Sequence, residues 1–299
     1  MDHKAFLSSL DVAQREALLV RSDGKGLRHL AGHWGAILIC AALIYLAVPF
    51  WQVLVPVLGI LLVFLFTLLH ETSHKTPFDS GWINDAVGHV CGFVLFLPSN
   101  WFRYFHFAHH RFTQIPGKDP ELEAPKPETW GQYVRHVSGV PVWISHAKTL
   151  VKNAVGRQHD AYVPQARRGK ITKEARLYLL GYGILLGLSL WQASMLLVYV
   201  WLLPMLLGQP FLRFYLLAEH GLCPTVANMF ENTRTTFTNR LVRFLAWNMP
   251  YHTEHHSYPS VPFYKLPELH DLIKPHLAVT ANGYAAFTKD YVDTAFSER

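Results

Sequence analysis

Charge is scarce in this chain. Only 16% of its 299 residues are Asp, Glu, Lys or Arg, against about 25% in an ordinary soluble domain. The scarcity is concentrated, because none of these four types occurs between Arg28 and Glu71 or between Arg176 and Arg213. Cysteine is nearly absent too. Cys40, Cys91 and Cys223 are odd in number and form no C-x-x-C spacing. That argues against a disulfide framework or a thiolate metal site and fits a reducing cytosolic face. Met1–Arg28 carries Asp11, Arg15, Glu16, Arg21 and Lys25, so it lacks the unbroken apolar core of a cleaved signal peptide. No internal repeat and no low-complexity tract is present.

What remains is apolar: 51% of the residues are hydrophobic, and the mean hydropathy is +0.13. This shifts the chain towards a membrane class. The formal net charge is +6 and the pI near 9.2, but the basic residues flank the apolar runs and form no stripe of their own. They read as a positive-inside bias with contact to anionic lipid, and no nucleic acid partner is expected.

A spanning helix needs about 20 residues, so the first charge-free run crosses twice, turning at Pro49 and Phe50. The second crosses twice at near-minimal length, turning near Trp191 and Gln192. The expected spans are 31–49, 51–70, 177–193 and 195–213. All 27 Lys and Arg residues but Arg213, the last residue of the fourth span, fall outside these hairpins, which puts both termini and the central segment on the cytoplasmic face. The expected fold is an all-α integral membrane protein with four transmembrane helices in two hairpins. A cytoplasmic helical cap holds a di-metal site, and residues 1–299 form one domain. The apolar stretch Ala86–Phe102 is interrupted by Gly88, His89, Gly92 and Pro98, so it reads as interfacial or re-entrant. Lys4–Val20 reads as an amphipathic helix, on the membrane surface or on the protein. Gln114–Trp130, rich in proline, reads as extended loop, Gly131–Ala154 as an interfacial helix and Leu266–Arg299 as short capping helices.

Histidine is plentiful, with 18 residues. His70 and His74 are spaced i, i+4 where the first apolar run ends. H-x-x-H-H follows at His106, His109 and His110 (HFAHH) and again at His252, His255 and His256, within WNMPYHTEHHSYPSVPFYKLP. On a helix, i, i+3 and i+4 share a face, so each box can aim its rings at one point. Neutral imidazole suits iron, zinc, copper or nickel. Three boxes from distant parts of the chain suit two neighbouring ions, whereas one tetrahedral zinc uses three or four ligands. The chemistry such a site serves is dioxygen activation and removal of hydrogen from an unactivated carbon. Glu71 and Glu219 each adjoin a candidate ligand and are the candidate catalytic carboxylates, orienting imidazoles. Asp119 in KDPEL either reaches back to a box histidine or is a plain turn residue. His89 reads as structural, and His136, His146 and His159 as surface or packing residues.

The set HETSH, HFAHH and HTEHH, with its two apolar hairpins, resembles the membrane fatty acid desaturase superfamily over about Leu62 to Pro267. That group includes alkane hydroxylases and carotenoid hydroxylases and ketolases. The resemblance implies two Fe ions bound by His70, His74, His106, His109, His110, His252, His255 and His256, with His220 as a ninth ligand. It also implies electrons from ferredoxin, rubredoxin or a small cytochrome, supplied as a separate protein. The implied activity is a membrane non-haem di-iron oxidoreductase that uses dioxygen to desaturate a lipid acyl chain. Because Glu71 and the H-x-x-x-H spacing also match the hydroxylase version, hydroxylation of an alkane, carotenoid or other apolar substrate is the alternative. HETSH also matches H-E-x-x-H, in which a zinc metalloprotease uses the glutamate as general base; that reading leaves two boxes unused. A metal transporter is disfavoured because no ionisable residue marks a path at mid-membrane.

Overall fold

A computed structural model describes residues 2–297. It is mostly helical, and three helices are long and apolar enough to cross a membrane: Asp23–Tyr45, Trp51–His74 and Val198–His220. The first begins earlier than charge alone suggests. Ser22 caps it by accepting from the Lys25 amide at 3.3 Å, and Asp23 complements the positive end of the helix, so a charged first turn is accommodated. The second and third meet backbone to backbone. A Cβ on Gly59 would lie 2.2 Å from the Pro204 carbonyl, and one on Gly208 would lie 2.2 Å from that of Gly59. Only glycine permits this approach, the usual way for helices to pack where no hydrophobic drive separates protein from lipid. The helix Trp51–His74 is interrupted at Phe64. There the Leu61 carbonyl meets His33 Nε2 at 2.9 Å, and His33 Nδ1 accepts from Trp247 Nε1 at 3.1 Å. One buried imidazole therefore ties two apolar helices to the segment that carries the last histidine box.

A fourth long helix, Gln165–Trp191, is basic in its first half, and its apolar second half exposes Leu180, Ile184, Leu186, Leu190 and Trp191. It is not one of the three helices apolar enough to span on composition alone.

The stretch 86–102 does not separate the boxes. It breaks into the helices Gly81–Val94 and Ser99–Phe112, with Phe96 at φ 57° in the turn between them. The chain reverses there, and His106 returns to within 2.8 Å of His74.

The N-terminal segment forms two short helices, His3–Ser9 and Val12–Leu19, the second begun by an Asp11 capping box. Phe6, Leu10 and Leu18 are buried in the main core, so the segment packs on the protein. Gly139, at φ 72°, divides the expected interfacial helix into Trp130–Val137 and Val140–Ala154. The proline-rich loop contains one 3₁₀ turn, Pro120–Glu123, capped by Asp119. All-α is corrected in one detail. Thr235–Thr236 and Thr280–Ala281 pair as two short parallel strands and pin the C-terminal segment beside the site. That segment then forms the helix Tyr284–Phe296, and residues 298–299 of the expected cap lie outside the described residues.

Candidate metal centre

Four helix segments deliver the nine predicted histidines to one place. His70 and His74 end the second long helix, and His220 ends Val198–His220. The other six lie on Ser99–Phe112 and on the short helix His252–Ser257. The nitrogens of His70, His74, His106, His110 and His255 all lie within 4.8 Å of one another, as do those of His109, His220 and His256. His252 joins the second group, its Nε2 being 3.2 Å from His220 Nε2. Each H-x-x-H-H box therefore serves both groups. Adjacent residues on a helix differ by about 100°, so His109 and His110 diverge to opposite sides, as do His255 and His256. The groups touch where His110 and His256 stack, centroids 4.0 Å apart.

The donor set fits two metal ions. Nε2 faces Nε2 at 2.8 Å between His74 and His106 and at 3.2 Å for His109–His220 and His255–His110. Two nitrogens each roughly 2.1 Å from one ion stand about 3.0–3.4 Å apart at right-angled to tetrahedral geometry. Both His70 nitrogens, His110 Nδ1 and His256 Nε2 are buried without a hydrogen-bond partner, an expensive arrangement that ligation would relieve. Burial, reinforced by the neighbouring rings, holds His106, His110, His252, His255 and His256 well below the usual histidine pKa. They are neutral and ready to donate lone pairs.

The outer nitrogens face oxygens. Asp119 Oδ1 lies 2.9 Å from His109 Nδ1, and its Oδ2 accepts from the Gln114 amide at 2.8 Å. Burial pushes the His109 ring down, but Glu121 and Asp119 outweigh it and raise its pKa. The Asn232 carbonyl lies 3.1 Å from His220 Nδ1, and Thr113 Oγ1 lies 3.1 Å from His256 Nδ1. Glu71 Oε1 stands 3.3 Å from His255 Nδ1 and 3.9 Å from His70 Nδ1. Glu219 Oε1 stands 3.5 Å from His252 Nδ1. These last contacts are close enough to pair without the alignment of a hydrogen bond, since Nδ1 of His70, His252 and His255 counts no such partner. Glu71 and Glu219 are thus brought to the rim, behind the rings.

Sequence reasoning missed Asn232, Thr113, Glu254 and His270. Glu254, wholly buried, accepts from Thr235 Oγ1 at 2.7 Å and pairs with His270 Nδ1. Its position two residues after His252 puts it on the opposite helix face, and a buried acid there requires partners. His89 is not in the cluster; it pairs with Glu174 at 2.6 Å.

The sequence matches the fatty acid desaturase family over residues 27–288. The chain belongs to that family. It is 26% identical over 289 residues to the dihydrorhizobitoxine desaturase of Bradyrhizobium elkanii, covering 88% of this chain and 79% of the relative. It is 30% identical over 120 residues to the sn-1 oleoyl-lipid 12-desaturase of a Picosynechococcus species, 37% of this chain and 34% of the relative. A Nostoc sn-1 acyl-lipid omega-3 desaturase (ferredoxin) is 22% identical over 240 residues, 71% of this chain and 64% of the relative. The match thus spans about a third of the Picosynechococcus enzyme and just under two thirds of the Nostoc one. Desaturases are oxidoreductases, and the apolar helices and histidine cluster of this desaturase-family chain accord with that chemistry.

Proposed function

We propose that the protein is a membrane-bound, oxygen-dependent desaturase that removes two hydrogens from adjacent carbons of a lipid acyl chain. The observation that carries this reading is the collection of nine histidines, seven buried and two half-buried, from four segments into two touching groups. All nine would hold two iron ions. When bound, the iron pair supplies activation of dioxygen, the chemistry that an unactivated C–H bond demands. The balance is one dioxygen, two external electrons and two protons, giving a double bond and two waters.

The chain's own residues do the rest. Asp119, Glu71 and Glu219 fix ring orientation from the rim, with the Asn232 carbonyl and Thr113. Burial excludes water. Gln165–Trp191 is proposed as a further span, its exposed leucines facing lipid, which completes two hairpins. The basic residues beyond the apolar runs support a site on the cytoplasmic face. The electron donor is a separate carrier, a ferredoxin, rubredoxin or small cytochrome; a relative named for ferredoxin supports that class.

Lipid profiles from cells expressing the protein or its His106→Ala variant test the activity, together with metal analysis of protein purified without added metal. A new double bond and about two irons per chain are expected. A hydroxylated product, or a non-lipid one, would redirect the substrate reading. One zinc and no iron would sink it.

A further inference from the structure

Gln114 is buried and holds a left-handed backbone, φ 61°, a conformation that glycine takes freely and glutamine adopts only at a cost. It follows Thr113, the residue that caps the end of the helix Ser99–Phe112. Glycine is the common residue at such a helix end, so a glutamine there calls for a reason in its side chain. The hydrogen bonds supply one. Gln114 Nε2 donates to the His220 carbonyl at 2.7 Å, and the Gln114 amide donates to Asp119 Oδ2 at 2.8 Å. Asp119 in turn meets His109 Nδ1. A ring is thereby closed. His109 and His220 face each other by Nε2 at 3.2 Å on the inside, and Asp119 and Gln114 join them on the outside.

The same turn reaches the rest of this group. Asn232, whose carbonyl meets His220 Nδ1, donates from its side chain to the Thr113 carbonyl at 3.1 Å. Thr113 Oγ1 donates to the His109 carbonyl at 2.8 Å and stands 3.1 Å from His256 Nδ1. Lys126 Nζ is a second donor to the His220 carbonyl, also at 2.7 Å. The outer nitrogens of His109, His220 and His256 are therefore all held, directly or through one residue, by Thr113 and Gln114. The first group differs. Among the described residues, no ring nitrogen of His70, His74, His106, His110 or His255 bonds to the turn. Both nitrogens of His70, and Nδ1 of His110 and His255, have no hydrogen-bond partner. The turn touches that group only where Thr113 Oγ1 lies 3.3 Å from the His110 carbonyl.

We propose that Gln114 is a positioning residue for one of the two metal subsites: it ties His109 to His220 and so sets the metal affinity of the His109–His220–His256 group alone. This role rests on the two-metal reading of the cluster, and it is read from metal binding, without turnover.

The test is stepwise addition of cobalt(II), an optical stand-in for iron(II), to the metal-free full chain in detergent without oxygen. The unmutated chain should take two cobalt ions. Gln114→Gly keeps the amide that holds Asp119, suits the left-handed turn and removes only the side-chain bond to His220. It should weaken one ion roughly tenfold, the low end for loss of an outer partner, and the other less than twofold. Beside His220→Ala, where that subsite is already broken, Gln114→Gly should change the remaining cobalt less than twofold. Equal weakening of both ions, or a tenfold loss that persists beside His220→Ala, would make Gln114 a general packing residue and overturn the proposal. Unchanged binding of both ions overturns it too. If Gln114→Gly does not fold, Lys126→Met decides by the same selectivity, because it removes the other donor to the His220 carbonyl and leaves the turn intact. An unmutated chain that takes no cobalt sinks the two-metal reading and the proposal with it, whereas two ions indifferent to Gln114 sink the proposal alone.

Discussion

Asp119 holds His109 by its outer nitrogen at 2.9 Å, with the carboxylate itself fixed by the amides of Gln114 and Glu121. A loop turn thus sets the aim of a histidine on a neighbouring helix. Asp119→Asn keeps the shape and removes the charge. It should lower iron affinity or turnover roughly 10- to 100-fold, as loss of such outer partners does. Glu121→Gln is the comparison. Glu121 Oε2 is 3.6 Å from the same nitrogen and its side chain is 43% exposed, so its effect should be several-fold smaller. Iron per chain and product formed, measured for both variants, check this; equal losses would contradict it.

The boxes were legible because i, i+3, i+4 spacing is a local property of one helix. Their division was not. Which of His109 and His110 joins which group depends on what flanks the helix Ser99–Phe112, and spacing alone does not encode that. The Asn232 contact left no trace in the sequence, because its acceptor is a backbone carbonyl. The Gly59–Gly208 crossing is likewise a relation between residues far apart in the chain. The early start at Asp23 carried a readable signal in Ser22, but a scan for charge-free runs stops at Arg28 and passes over the cap.

Acid should destabilise the metal-free protein. His106, His110, His252, His255 and His256 have pKa values held well below 6.5 by burial and then by one another. Between those low values and 6.5 the unfolded chain binds more protons than the folded one, so stability rises with pH and is lost as pH falls below 6.5. His109 and Glu121, whose pKa values are raised, work in the opposite sense but are two groups against five. Thermal melting of chelator-stripped protein should shift downward between pH 7.5 and pH 5.5. A flat or rising Tm on acidification would contradict the burial argument.

Topology follows from the placement of lysine and arginine. With Cys40, Cys91 and Cys223 replaced by serine, single cysteines at Lys118 and Pro49, both exposed, report opposite faces. In intact cells an impermeant thiol reagent should label Pro49→Cys and spare Lys118→Cys until the membrane is opened. The reverse pattern would place the histidines outside the cytoplasm and remove the soluble electron carriers from reach.

His220 offers the sharpest test of the ligand set, because it belongs to no box. Its Nε2 stands 3.2 Å from both His109 Nε2 and His252 Nε2, while its outer nitrogen meets the Asn232 carbonyl. That carbonyl fixes the proton on Nδ1 and leaves the Nε2 lone pair pointing inward. Three imidazoles converging in this way without a cation would leave lone pairs opposed in a buried space. His220→Ala should therefore lose at least one iron per chain and all measurable turnover. His146→Ala serves as the control, since His146 lies outside the boxes and meets the Leu95 carbonyl at 3.1 Å; it should retain both irons. If His220→Ala keeps the iron content and turnover of that control, the second group is held by the boxes alone. His220 would then be a packing residue at the end of its helix.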